Sequence, residues 1–153
     1  MSHVPLHLLL AVATVLTFIE PASAQSTDPN TQLYVNRIAV AFASVGGPKR
    51  LPFAVVDIVD GNSNPVNGAL VVGDWSGCFK QLNDSAVTET VCQTVDGTLI
   101  CVDGRTTIWA NKSYSCWGKG QSCSFTFTIT NVSKQGMTYI PVDGKTTDGG
   151  PCK

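Results

Sequence analysis

The sequence predicts an all-β fold: an antiparallel β-sandwich of about seven to eight strands, stabilised by disulfides. Three observations predict it. Short runs rich in Val, Ile, Phe and Thr recur along the chain, each closed by Gly, Pro, Asn or Asp. No longer stretch keeps the apolar period of a helix. The segment Val91–Cys101, VCQTVDGTLIC, sets two cysteines symmetrically about Asp-Gly, the dipeptide a two-residue hairpin prefers.

Residues 1–24 read as a cleaved signal peptide, because an apolar run from Leu6 to Ile19 leads into Ala22-Ser23-Ala24, a small-residue cleavage pattern. The run is short for a membrane span, and membrane insertion is not expected. Residues 25–31, QSTDPNT, are expected to be a flexible lead-in, and 32–153 a single domain. Within it the expected strands are Leu33–Ser44, Leu51–Asp60, Ala69–Trp75, Ala86–Val95, Thr98–Val102, Arg105–Ala110, Ser124–Val132 and Met137–Val142. Gly46-Gly47-Pro48 and Gly61–Asn67 break the early ones. Ser124–Val132 alternates, with Phe125, Phe127 and Ile129 on one face and Thr126, Thr128 and Thr130 on the other.

A type I′ turn at Asp96-Gly97 sets the hairpin register: Val95 opposite Thr98, Thr94 opposite Leu99, Gln93 opposite Ile100, Cys92 opposite Cys101. The pair next to such a turn is hydrogen-bonded and the type then alternates, so Cys92 and Cys101 fall on a close, non-hydrogen-bonded pair suited to a disulfide. All six cysteines follow the leader, which implies an oxidising compartment and a secreted protein. Cys116 and Cys123 bracket a Gly-rich loop and can close it, and Cys78 with Cys152 then remains to tie down the C-terminal tail.

Both histidines, His3 and His7, lie in the leader, and Glu89 is the only glutamate after it. Ser-His-Asp and Cys-His catalysis and His-based metal sites are thereby excluded from the secreted chain, so no enzyme activity, cofactor or metal is expected. The aspartates sit largely in turn sequences, where Asx-type hydrogen bonding is their expected role. Ten Lys/Arg balance the Asp/Glu that remain once Glu20 is removed with the leader. No basic block offers a nucleic-acid surface.

Of the three tryptophans, Trp75 is expected in the core, and Trp109 is expected there too, with a groove-facing position as its alternative. Trp117 lies in Cys116–Cys123, CWGKGQSC, where a closed loop would display it with Tyr114 and Lys119 as candidate ligand contacts; the alternative is that Trp117 folds back and caps the sandwich. Asn83, Asn111 and Asn131 head N-glycosylation sequons.

Residues 55–77, VVDIVDGNSNPVNGALVVGDWSG, resemble a strand–turn–strand signature of bacterial-type extracellular immunoglobulin-like domains, through Asn64-Pro65-Val66-Asn67-Gly68-Ala69 and Gly73-Asp74-Trp75-Ser76-Gly77. VCQTVDGTLICV is similar to that family's cysteine-flanked hairpin, and SFTFTITNVSKQGMTYIP to its closing segment. The resemblance runs from about Val35 to Pro141 and implies an immunoglobulin-like sandwich that binds or spaces, with no catalytic residues to carry over. Cys78, Cys116, Cys123, Cys152 and the CWGKGQSC loop are additions to the pattern. The expected function is therefore a secreted, non-enzymatic binding module that recognises an extracellular protein or a cell-surface glycan through loops. A stand-alone carbohydrate-binding module is the first alternative, which aromatics spread on one sheet face would favour. A small secreted effector or protease inhibitor is the second.

Overall fold

The structure, a computed structural model, describes residues 28–115 and 124–151. Its strands are β1 (Gln32–Ser44), β2 (Lys49–Val59), β3 (Leu70–Gly77), β4 (Gln81–Val87), β5 (Glu89–Val95), β6 (Thr98–Trp109), β7 (Tyr114–Ser115), β8 (Ser124–Ser133), β9 (Thr138–Tyr139) and β10 (Thr147–Pro151). They form two sheets packed face to face. The larger runs β5-β6-β2-β1-β9, with β7 also on β2; the smaller runs β10-β8-β3-β4. All pairs are antiparallel except β1 with β9. The all-β sandwich read from the sequence is thus the fold, with ten strands among the described residues rather than seven or eight.

The core fills from alternate positions on both sheets. Ala54, Val56 and Ile58 of β2 and Ile108 of β6 face Val71 and Trp75 of β3 and Phe125, Phe127 and Ile129 of β8. Trp75 is fully buried, its ring 4.8 Å from that of Phe127. The alternation in β8 holds, because burial follows the phenylalanines while Thr126 and Thr128 stay on the outer face.

The hairpin has the expected register, Val95 opposite Thr98 through Cys92 opposite Cys101. Asp96 and Gly97 both take positive φ, 50° and 79°, as a type I′ turn requires. Cys92 and Cys101 are disulfide-bonded with Cα atoms 4.0 Å apart.

Several boundaries differ from expectation: β4 begins at Gln81 rather than Ala86, the expected strand Met137–Val142 is only Thr138–Tyr139, and β7 has no expected counterpart. Ala86–Val95 is two strands, not one. Thr88 interrupts it as the chain leaves the smaller sheet for the larger; its buried hydroxyl donates to Val66 O at 2.7 Å and accepts from Ala69 N at 3.0 Å. Conversely, Thr98–Val102 and Arg105–Ala110 fuse into β6 across a bulge, where Asp103 and Gly104 together oppose the single residue Thr90. Gly104 has φ 68°, and a Cβ there would lie 2.6 Å from Ile58 O. Finally, β10 has no strand signal in its sequence, Thr-Asp-Gly-Gly-Pro. It is held by pairing along β8 and by the Asp148 carboxylate, which accepts Val40 N of β1 at 2.6 Å.

Residues 1–27, which include the expected signal peptide, lie outside the described residues. From the expected lead-in, Pro29–Thr31 form a 3-10 turn capped by Asp28, and Pro29 O accepts Gly61 N at 2.8 Å.

Candidate functional site

The two faces of the larger sheet differ. Ala54, Val56 and Ile58 point into the sandwich, so Phe53, Val55 and Asp57 of β2 point away from it. Their cross-strand partners share that outer face. Three rows result. The first is Ala41, Phe53 and Trp109; the second is Ala39, Val55 and Thr107; the third is Arg37, Asp57 and Arg105, which Glu89 of β5 extends to a fourth strand. No described strand lies across this face.

The first two rows are apolar apart from Thr107, and Trp109 stands at one end of the first. Trp109 is 48% exposed, and its ring stands 4.6 Å from that of Phe53 at 37°. This corrects the expectation that Trp109 is core. The residues inward on β6 are Thr106, Ile108 and the nearby Ala110, and Trp109 lies between them in the alternation. Its half-buried partner Phe53 braces the indole, and Ala41 follows Phe53 across the row.

The third row is a ladder of alternating charge. Arg105 grips Asp57 with both carboxylate oxygens engaged, Nε to Oδ1 at 2.6 Å and Nη2 to Oδ2 at 2.8 Å. That pairing holds the Arg105 guanidinium above its usual range. Asp57 takes two of the five N–H donors an arginine carries. The pair keeps only its edge in water, with side chains 18% and 13% exposed, while Arg37 and Glu89 at the ends of the row are exposed. The sheet presents an aromatic platform beside this partly exposed row.

Among the residues expected to contact ligand, Tyr114 lies on β7, 37% exposed, with its ring stacked near Phe79 and edge-on to Phe125. It extends the aromatic packing at that end of the core. Trp117 and Lys119 lie outside the described residues. So do Cys116, Cys123 and Cys152, and with them the expected Cys116–Cys123 and Cys78–Cys152 pairings; Cys78 itself is disulfide-bonded. Asn83, Asn111 and Asn131 are all exposed.

An open cavity of about 210 Å³ is lined by Tyr34, Asn36, Asp60 and Lys145, among others. It is smaller than the roughly 300–1,000 Å³ of ordinary ligand pockets. Its carboxylate is spent on a turn: Asp60 Oδ1 accepts Asn62 N and Asn64 N at 2.8 and 2.9 Å, and Oδ2 accepts Asn64 Nδ2 at 3.0 Å. Those bonds hold Asp60 below the usual carboxylate range. Among the described residues no group of His, Cys, Asp or Glu is placed to share a metal ion, and no helix is long and apolar enough to cross a membrane.

The face was missed because β2 is apolar on both sides except at Asp57, which shares the period of Phe53 and Val55. A second signal was available on β6. Arg105, Thr107 and Trp109 share a period of two, and a charged Arg105 would have drawn Trp109 to the solvent side with it. No family model matches the chain, and no curated protein or solved structure is significantly similar to it.

Proposed function

We propose that the protein is a secreted, non-enzymatic binding module of immunoglobulin-like type that holds an extracellular ligand, protein or glycan, on the outer face of its larger sheet. The observation that carries this reading is Trp109. Almost half of a large aromatic is left in water on a flat, stiff surface, although burying it would be worth about 2–3 kcal/mol. An aromatic so placed, with a polar border and no reorganisation needed on binding, is the usual anchor of a recognition surface.

This moves the contact surface from the loop tip to the sheet face. Tyr114, the one described residue of the loop set, is braced against Phe79 and Phe125 rather than held free. The test is a panel of extracellular proteins and polysaccharides probed with the oxidised protein, wild type beside Trp109→Ala. The reading expects at least one ligand held by the wild type and lost from the variant. Ligands held equally by both place the site elsewhere.

A further inference from the structure

Resting on that reading, we propose that the ligand is a neutral glycan chain, bound along β6 and β2 with one sugar ring on Trp109 and its neighbours reaching the Asp57–Arg105 pair. Three features of the face select this chemistry.

The first is its split character. A sugar ring is apolar on its C–H faces and polar around its rim. The outer face matches that division, with an aromatic pair and two alanines on one side and a ladder of charge on the other. The C–H face packs on the indole, as apolar groups pack on aromatic rings. The hydroxyls, each both donor and acceptor, meet guanidinium N–H groups and carboxylate oxygens. Thr107 adds a hydroxyl between the two.

The second is its relief. Apart from Trp109 the first two rows consist of small or half-buried side chains, Ala39, Ala41, Phe53, Val55 and Thr107. A protein interface of ordinary size needs several protruding anchors and pockets to desolvate. A shallow track with one raised ring suits a ligand that is itself a flat ribbon.

The third is length and charge. Trp109 and Arg105 are four residues apart on one strand, about 13 Å, the span of a short oligosaccharide rather than of one sugar. The third row alternates Arg37, Asp57, Arg105 and Glu89, so its charges cancel, and the most central cation is already paired with Asp57. A polyanionic glycan, which needs several unpaired cations, would meet only Arg37 at the end of the row, with Asp57 and Glu89 in the same row.

The experiment is calorimetric titration of the oxidised protein with cellulose-, laminarin-, mannan- and chitin-derived oligosaccharides of increasing length, run beside heparin and a panel of extracellular proteins. The proteins compared are wild type, Trp109→Thr, which keeps a β-forming side chain, and Trp109→Phe, which keeps a ring. The expected result is binding of a neutral series that tightens with length up to a short oligomer. It should persist in high salt, weaken at least tenfold in Trp109→Thr and recover in part in Trp109→Phe, with unfolding temperatures that match. Neutral-glycan binding unchanged in Trp109→Thr overturns the site. Binding of heparin alone, lost in salt, overturns the neutral class. Trp109-dependent binding of proteins without any glycan overturns the glycan and leaves the binding face standing. Trp109-independent behaviour toward every ligand overturns the face as well.

Discussion

Trp75 and Trp109 both sit on strands beside a phenylalanine, and which side of its sheet each occupies decides what each does. Trp75 points inward and packs at 4.8 Å on Phe127 with no exposed surface. Replacing it by alanine removes the largest buried side chain of the core and leaves a cavity bounded by rigid strands. The expected cost is about 3–5 kcal/mol, read as a lower midpoint in denaturant unfolding. Trp109 packs on Phe53 through one side only. Trp109→Ala is expected to cost under about 1 kcal/mol in the same measurement while removing ligand binding. Comparable destabilisation by the two substitutions would mean that Trp109 supports the fold rather than a ligand.

At the scale of elements, the β5–β6 hairpin is two structures joined at a bulge. On the sheet side, Arg105 to Trp109 pair with β2 in the body of the molecule. Beyond Gly104 the hairpin projects, and Thr98 to Cys101 are exposed throughout. Little apolar burial holds this arm, so its order depends on the turn, the ladder and Cys92–Cys101. A bridge closing so short a loop contributes about 2–3 kcal/mol. The double variant Cys92→Ser/Cys101→Ser is therefore expected to speed amide exchange across Val91–Val102 while β3 and β8 keep their protection. Equal loss of protection in β8 would show that the arm and the sandwich unfold together. The bulge itself carries a pH dependence. Asp103 accepts hydrogen bonds from Thr90 and Asn67, first of all from Thr90, and its pKa is lowered from 3.8. A carboxylate whose pKa is lower folded than unfolded stabilises fully above the unfolded value and ceases to do so as pH falls through the folded one. Protection at Thr90 and Gly104 should hold from neutral pH down to about pH 4 and fall below it, a fall that Asp103→Asn removes.

Taken whole, the molecule divides into parts that local chemistry writes plainly and parts that depend on what crosses from one sheet to the other. The Asp96-Gly97 hairpin and the Phe125–Phe127–Ile129 face were legible because turn preference and polar alternation are local. The outward face of β2 was not, since Phe53 and Val55 are as apolar as Ala54 and Val56, and the single charge that gives the alternation its sign, Asp57, lies at the far end of the run. Nor was β10, whose glycines and proline form a strand only because β8 and Asp148 hold them. Thr88 belongs with these: it lies inside a β-prone run, and the chain is held where it changes sheets by its hydroxyl on the buried Val66 carbonyl and Ala69 amide together with its backbone bonds to Gly68 and Ala69. That gives the whole-molecule prediction. Thr88→Val keeps shape and β-preference, and it strips both backbone groups of their partner in a dry site. Leaving a buried donor and acceptor unpaired costs about 1–3 kcal/mol each, where losing an exposed hydroxyl costs almost nothing. Because Thr88 is where β4 and β5 join the two sheets, the loss is expected to lower one common transition, with intrinsic tryptophan fluorescence and far-ultraviolet circular dichroism shifting together. Separate transitions for the two probes would mean that the sheets unfold independently and that the crossing at Thr88 does not couple them.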